Sequence, residues 1–273
     1  MRPLAALLLL ASALPAPAGG LVELAGKSID DYTFSARGRA WSSDQGAEIQ
    51  DSKTVQQGSL IDLFDDTDLD NRLYMPWVDA ELRFQELAIR FDCWWASDHV
   101  RGDFTDDEGF DGHVFLKGDD ALIRFTAFQG SAHFEWIPLD LGSSKKIGLE
   151  VGLLIGGRIT RMEAEIRDSV SGEHYRSSVV GAAPDVGLTL SLGLLNFLEL
   201  ETWVTGMQFR IGTWDYRSLE AGAELRIFID DHFYIGLGYH YDFRSIEKGD
   251  STDNGRLLDF LYHGPSVGIG LQF

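Results

Sequence analysis

Histidines close to carboxylates are the residues of this sequence best suited to hydrolytic chemistry. Asp98 and His99 are neighbours in the chain, His133 and Glu135 occupy alternate positions, and His263 lies near the C-terminus. A hydrolase needs such a histidine to be held by an acid and within hydrogen-bond reach of the attacking group. None of these histidines lies in a specific sequence motif. The sequence therefore predicts no catalytic residues and favours a protein that is not an enzyme.

Two clusters of acidic residues are the other candidates for chemistry, because carboxylates bind divalent cations. Asp66, Asp68 and Asp70 alternate as they do at the start of a calcium-binding loop. Asn71 stands where that loop needs glycine, and Trp77 stands where it needs glutamate. We predict no metal site and no cofactor, and we expect solvated loops instead. The first cluster contains Asp62, Asp65, Asp66, Asp68 and Asp70, and the second contains Asp103, Asp106, Asp107, Glu108 and Asp111.

The charge and the cysteine content exclude several classes of function. The formal net charge is −20, and such acidity is unfavourable for a protein that binds nucleic-acid phosphates. The single cysteine, Cys93, has no partner for an internal disulfide. It lies between Phe91 and Trp95, and this context predicts an apolar wall position rather than a reactive thiol. The sequence contains no Walker loop, dinucleotide fingerprint or zinc-ligand spacing.

The first 18 residues have the features of a secretory signal peptide. Arg2 gives a positive start, residues 4–14 form an apolar run, and residues 16–18 form a small-x-small cleavage site. The run is too short for a membrane helix, which needs roughly 20 apolar residues. We predict that residues 1–18 are removed and that residues 19–273 form one domain.

The rest of the chain alternates apolar with small or polar residues over long segments. The C-terminal segment is the plainest case, because Val267, Ile269, Leu271 and Phe273 alternate with small or polar residues. Such alternation predicts β-strands with one apolar face. Ten strands are predicted, at residues 32–40, 74–84, 87–95, 121–138, 147–162, 180–194, 198–211, 216–229, 232–244 and 257–273.

These strands must close on themselves if the protein crosses a membrane. No apolar run after residue 18 is long enough for a spanning helix, and lipid cannot satisfy the open edge of a sheet. The predicted fold class is all-β, a closed antiparallel transmembrane β-barrel, with ten strands preferred over eight. Tight turns alternate with polar stretches, and residues 41–72, 97–118 and 164–176 are predicted as loops at the cell surface.

Each strand of such a barrel presents one face to lipid and the other to the barrel interior. The aromatic residues near the strand ends are assigned to lipid-facing girdles; they are Tyr74, Trp77, Trp95, Trp136, Phe197, Phe233, Tyr241, Phe243 and Phe273. The charged residues assigned to the interior are Arg37, Arg39, Glu81, Arg83, Arg90, Asp92, Arg124, Glu150, Glu199, Glu201, Glu220, Glu224, Arg226, His240, Asp242 and Arg244. Buried charges must be paired, which predicts an interior filled by ion pairs. A narrow, charge-lined pore is the alternative, because the pairing depends on strand register.

In its terminal strand, its final Phe273 and its alternating segments, the chain resembles the small, single-domain outer-membrane β-barrels of Gram-negative bacteria. The resemblance covers nearly all of residues 19–273 and points to no subfamily. It implies export, location in the outer membrane, and insertion by the barrel-assembly machinery, which reads the last strand and Phe273. It also implies contact with outer-membrane lipid and lipopolysaccharide, whose phosphates would share divalent cations with the acidic loops.

A structural or interaction role is the function that these observations favour. The first alternative is a narrow, porin-like channel for small solutes. The second is a surface hydrolase, either a lipid A deacylase or a protease of the omptin kind, and the third is a soluble exported β-protein that binds a ligand inside a smaller barrel. The sequence does not identify a substrate, a solute or an oligomeric state.

Overall fold

Long β-strands make up nearly all of the residues that the structure describes. The computed structural model describes residues 33–51, 61–62, 72–84, 86–104, 107–110, 113–140, 147–169, 171–194, 197–230, 232–248 and 256–273. Within these ranges no helix is long and apolar enough to cross a membrane. The strands are β1 (Phe34–Asp51), β2 (Ile61–Asp62), β3 (Arg72–Phe84), β4 (Leu87–Asp103), β5 (Glu108–Phe110), β6 (His113–Phe115), β7 (Asp120–Asp140), β8 (Ile147–Asp168), β9 (His174–Leu194), β10 (Leu198–Ile211), β11 (Trp214–Phe228), β12 (Phe233–Lys248) and β13 (Arg256–Gln272).

Ten of these strands form a closed antiparallel barrel, which confirms the predicted fold class and strand count. They are β1, β3, β4 and β7 to β13, and each pairs with the next along the chain. The last strand, β13, pairs back with β1, and Ala36 lies opposite Leu271 in that seam. The backbone N–H of Phe273 donates to the carbonyl of Phe34 at 2.8 Å. The terminal residue therefore completes the seam with its main chain.

Several strands run further than predicted, so the three polar loops were partly wrong. β1 continues to Asp51, β4 continues to Asp103, and β8 and β9 are joined by a tight turn between Asp168 and His174. Gly172, at φ 74°, lies in this turn, in a backbone conformation that glycine adopts without strain. These extensions lie at one end of the barrel, called here the upper end. Thr33 and Phe273, the first and last residues that the structure describes, lie together at the opposite end, called here the lower end.

The strand extensions were missed because the polar and apolar faces of a strand exchange sides along its length. In the lower part of β7, His133 and Glu135 are buried, while Phe134 and Trp136 are exposed. In the upper part of the same strand, Phe125 is buried. The inner face of this strand is therefore polar in its lower part, as in a membrane barrel, and apolar in its upper part, as in a soluble protein. On β1, β4, β8 and β9, polar residues on the outer face of the upper part were therefore interpreted as loop.

The barrel interior consequently has two compartments. The lower compartment contains the charged residues described below. The upper compartment is an apolar core, formed by Trp41, Leu73, Met75, Trp77, Trp94, Ala96, Phe104, Phe110, Phe115, Ala121, Ile123, Phe125, Ala127, Met162, Ala164, Ile166, Val179, Ala183, Tyr216, Ile246, Phe260 and Tyr262.

A short hairpin of β5 and β6 packs its aromatic side chains into the top of the upper compartment. Phe110 and Phe115 are buried there. The ring of Phe115 stacks on Phe104 at 4.8 Å between centroids, and His113 stacks on Tyr175 of β9 at 4.3 Å. The hairpin therefore covers part of the upper end, on the side of β9.

The lipid-facing girdle is correct for most of its predicted members and wrong for Trp77. Tyr74, Trp95 and Trp136 are well exposed on the outer face. Trp77 is buried inside the barrel, because it shares its face of β3 with Glu81 and Arg83 rather than with Tyr74. The guanidinium of Arg39 lies 3.9 Å from its ring centroid, which compensates for the burial of both groups.

Candidate functional site

The charged side chains of the lower compartment are the main candidate site. All of the predicted interior charges except Arg124 lie on inward strand faces, where they are buried or partly buried. Arg124 was wrongly assigned. It lies on the exposed outer face of β7, because Ile123 and Phe125 of the apolar compartment occupy the inner face at that level.

One group of ion pairs is centred on Arg226, whose side chain is only 7% exposed. Its guanidinium donates to Glu199 at 2.9 Å, to Glu224 at 3.2 Å and to Glu201. Arg37, on the far strand β1, donates to Glu224 at 2.6 Å and to Glu201 at 3.2 Å. These contacts join strands that are not neighbours in the sheet. They therefore fill the barrel across its width.

A second group is centred on Arg158 of β8. This guanidinium donates to Glu220 at 2.7 Å, to Thr205 at 2.7 Å and to Asp185. Arg244 of β12 contacts the same Glu220 at 3.4 Å and donates to Gln129 at 2.9 Å. It also pairs with Asp242 at 2.7 Å.

Two further contacts complete the network. Arg90 of β4 donates to Glu135 at 2.6 Å and to Glu201 at 2.5 Å, and Arg83 of β3 donates to Glu150 at 2.7 Å. Five charged or titratable residues of the interior were not in the predicted set of interior charges, although strict alternation from their neighbours places them there. They are Asp79, His133, Glu135, Arg158 and Asp185.

Aromatic rings separate the charged compartment from the apolar one. Trp41 lies 5.5 Å from Trp77 and 6.1 Å from Trp94, measured between ring centroids. His240 lies 4.4 Å from Trp77, and Tyr262 lies 5.2 Å from Trp94. These large side chains come from β1, β3, β4, β12 and β13, and so they extend over much of the barrel cross-section.

A small cavity lies among the interior charges. Its volume is about 60 Å³, and it is lined by Arg37, Trp77, Asp92, Glu201 and other side chains. A cavity of this size has room for a few water molecules.

Two serine–histidine contacts inside the barrel deserve comparison with hydrolase geometry. Ser131 lies 3.3 Å from Nδ1 of His133, and Nε2 of His133 lies 3.2 Å from Asp185. In serine hydrolases the serine contacts Nε2 and the acid contacts Nδ1. Here the two nitrogens are exchanged, and the Ser131 hydroxyl donates to Asp92. The arrangement is thus part of the ion-pair network rather than a catalytic triad.

The second contact lies in a Gly-x-Ser-x-Gly pattern of the sequence. Residues 264–268 read Gly-Pro-Ser-Val-Gly, which has the spacing of a nucleophile elbow. An elbow requires a turn from a strand into a helix, whereas this segment lies within β13. Ser266 is buried and lies 2.9 Å from Nε2 of His240, which also contacts Arg39 at 3.1 Å. The pattern therefore forms no elbow.

Of the histidines named from the sequence, neither His99 nor His263 contacts a carboxylate through its ring within the described residues, whereas His174 of β9 lies 2.8 Å from Glu165. Asp98 accepts a hydrogen bond from the backbone N–H of His99 rather than from its ring. The ring of His263 lies 3.1 Å from the hydroxyl of Tyr239. Tyr239 is not one of the acids or nucleophiles considered for a surface hydrolase.

No group of three or more metal-ligating side chains occurs in the part of the chain that the structure describes. Most of the first acidic cluster lies outside the described residues, and Asp62 is in β2. In the second cluster, Asp107 accepts a hydrogen bond from the backbone N–H of Lys117 at 2.8 Å. Asp106 and Asp111 lie outside the described residues.

The outer face of the upper end carries charges of both signs. Arg101 donates to both oxygens of Asp120 and lowers the pKa of that carboxyl. Arg176 donates to Glu163 at 2.5 Å, and this bond lowers the pKa of Glu163. Each pair joins two neighbouring strands, at a level above the apolar outer face of the lower barrel.

Comparison with known proteins bears on the fold of the chain. No family model and no curated protein sequence matches the chain. Among solved structures, the outer membrane protease OmpT from Escherichia coli matches over 90% of this chain and 98% of its own, with 11% identity and a TM-score of 0.55. The attachment invasion locus protein Ail of Yersinia pestis matches over 88% of this chain and 98% of its own, with 11% identity and a TM-score of 0.37. The fold is that of Gram-negative outer-membrane β-barrels.

Proposed function

We propose that the protein is an integral outer-membrane β-barrel with a structural or interaction role, and that its interior is closed to solutes. The observation that carries this proposal is the filling of the barrel by two different kinds of contact. Ion pairs fill the lower compartment, and an apolar core that includes Phe110 and Phe115 of the β5–β6 hairpin fills the upper one.

The membrane location is supported by the outer face of the lower barrel. Phe91, Phe134, Leu188, Leu237 and Ile269 are all exposed there, and they come from strands around the circumference. A contiguous exposed apolar surface of this kind is unfavourable in water. It is the surface that a barrel presents to lipid, with the polar side chains inside.

A channel would need a continuous path of water through both compartments. The charged compartment holds a cavity of only about 60 Å³, and the aromatic rings of Trp41, Trp94 and Tyr262 lie above it. Apolar packing of this kind excludes water from the upper compartment. The interior therefore stabilises the barrel rather than conducting solutes.

The interaction role is assigned to the upper end, which extends beyond the lipid. Its outer face carries exposed ion pairs, such as Arg101 with Asp120, and its acidic loops would bind divalent cations shared with lipopolysaccharide phosphates. Assembly would follow the route of other outer-membrane barrels, in which the barrel-assembly machinery reads the terminal strand and Phe273.

Two measurements on the full-length protein test this proposal. On gels of the outer-membrane fraction, we expect the unheated protein to migrate differently from the boiled one, as folded barrels do. In planar lipid bilayers, we expect no stable current, with a general porin as the positive control. A reproducible single-channel current would contradict the closed interior. An unshifted protein in the soluble periplasmic fraction would contradict the membrane location.

A further inference from the structure

A groove lies on the outer face of the barrel, where β3, β4, β7 and β8 run side by side. Its volume is about 500 Å³, within the range of roughly 300–1,000 Å³ typical of small-molecule sites. Asp79, Ala80, Phe91 and Asp92 line both this groove and the small cavity inside the barrel, and the lining of the groove is mainly apolar. The outward-facing lining residues are Val78, Ala80, Phe91, Cys93, Phe128, Gly130, Ala132, Gly157 and Ile159.

Strand register explains why the outer surface is concave at this place. Gly130 lies opposite Cys93 on one side and Ile159 on the other, and Ala132 lies opposite Phe91 and Gly157. Small side chains on β7 therefore form a floor, and larger ones on neighbouring strands form walls. The ring of Phe128 closes the upper end of this floor, because a Cβ atom at Gly130 would lie only 3.5 Å from it.

A positively charged side chain stands at the upper end of the groove. Arg161 lies opposite Phe128 in the register of β7 and β8, two residues above Ile159, or about 7 Å along the strand. Its side chain is 59% exposed. Arg161 lies 3.3 Å from Glu163, which Arg176 already binds at 2.5 Å. The guanidinium of Arg161 therefore keeps donors available for another acceptor.

Arg124 adds positive charge above Arg161 on the neighbouring strand. It is exposed on the outer face, four residues or about 13 Å above Phe128, and lies opposite His99 on one side and Glu165 on the other. Arg161, beside Phe128 and Trp95, is at the level where aromatic girdles mark the membrane–water interface. The chain as a whole has a net charge of −20, so an exposed arginine at this level is a local exception.

We propose that this surface, called here the lipid groove, binds one anionic glycolipid of the outer leaflet, of the phosphorylated lipid A type. One acyl chain lies in the groove over Gly130 and Ala132, and a phosphate accepts hydrogen bonds from Arg161. Guanidinium groups bind phosphate through charge-assisted hydrogen bonds. The upper end is the cell-surface end, because both termini of an even-stranded barrel lie on the periplasmic side. This inference rests on the membrane location given under Proposed function.

Native mass spectrometry of the full-length protein tests the proposal. The protein, folded in detergent micelles, is mixed with equal amounts of diphosphorylated lipid A and phosphatidylethanolamine before release into the gas phase. We expect one retained lipid A, favoured up to about five-fold over phosphatidylethanolamine, since one exposed charge-assisted contact contributes up to about 1 kcal/mol, or about five-fold in affinity.

Matched variants separate the groove from ordinary lipid contact. Ala132→Leu fills the groove, whereas Ala221→Leu adds the same group to the outer face of β11. Arg161→Ala removes the phosphate ligand, whereas Arg217→Ala removes another exposed arginine. We expect retention of lipid A to fall about three- to five-fold in the first member of each pair, and to stay within about two-fold of the unmodified protein in the second.

Equal retention of both lipids, or equal losses in all four variants, would overturn the lipid groove. Each variant is also checked for its gel shift on heating, so that a failure to fold is recognised. Loss of the gel shift in the unmodified protein would contradict the proposed membrane location. A normal shift without selective lipid retention would contradict this inference alone.

Discussion

Replacement of Arg226 by methionine measures whether the lower compartment is dry. Arg226 contacts three carboxylates, those of Glu199, Glu201 and Glu224. Glu201 and Glu224 are also bound by Arg37. Within the described residues, Glu199 has no second guanidinium partner within 4 Å. The variant therefore leaves the Glu199 carboxylate buried and unpaired.

The magnitude of the effect depends on the surroundings of the ion pair. Removing one partner of a buried pair costs about 3–5 kcal/mol of the free energy of unfolding. The same pair in a solvated pore would be worth about 0–1 kcal/mol. Because the side chains of Arg226 and Glu199 are 7% and 6% exposed, we expect Arg226→Met to cost about 3–5 kcal/mol.

A second substitution tests whether the unpaired carboxylate is the cause. In Arg226→Met with Glu199→Gln, the buried charge is removed together with its partner. We expect the double variant to recover about 1–3 kcal/mol of the loss, which is the usual size of coupling between contacting residues. Glu199→Gln alone should cost about 1–2 kcal/mol, since Arg226 keeps its other two carboxylates.

Equilibrium urea unfolding in lipid vesicles, followed by tryptophan fluorescence, gives these values. The closed-interior argument is refuted if Arg226→Met costs less than about 1 kcal/mol and Glu199→Gln recovers nothing. That result would mean that water screens the pair, as in an open pore. A cost of about 3–5 kcal/mol with partial recovery is the signature of a dry network.

Two further predictions concern packing and titration. A Cβ atom at Gly222 would overlap the ring of Trp203 inside the barrel, whereas a Cβ at Gly38 meets no atom within 4 Å. Gly222→Ala should therefore cost about 1–3 kcal/mol in the same unfolding assay, and Gly38→Ala should stay within about 0.5 kcal/mol. At the upper end, a hydrogen bond to Glu173 raises the pKa of Tyr175 from 10.0 to about 12. The stabilisation from this contact is therefore fully present below pH 10.0, and it is lost as the pH rises through about 12. Ultraviolet difference titration against Tyr175→Phe should show this value, and Glu173→Gln should move it towards 10.0; an unchanged pKa would contradict the assignment.

The strand order and number followed from the sequence because alternation in the lipid-facing half is strong. Leu188, Leu190 and Leu192 alternate with Gly187, Thr189 and Ser191, and only a strand accounts for that period. The upper strand extensions lack this signal. There the outer face is as polar as a loop, and the inner face is only moderately apolar.

The errors in side-chain assignment have the same origin. Arg124 and Trp77 lie near the level where the pattern reverses, and a rule of polar inside and apolar outside gives the wrong face for both. The level of the reversal differs between strands because the barrel strands are tilted. The ion pairs could not be predicted, because they join strands that are distant in the chain. Arg37 and Glu224, for instance, meet only once the barrel has closed.

The reversal of pattern within single strands limits the misfolded arrangements that are open to the barrel. In an ordinary lipid-spanning strand, a slip of one residue exposes charge to lipid, but a slip of two residues keeps every side chain on its proper face. Here a slip of two residues on β7 would move Gln129 towards the apolar core that contains Ala127 and Phe125. A two-residue slip would therefore bury polar groups in the apolar core, a cost that is additional to any strain in the connecting turns.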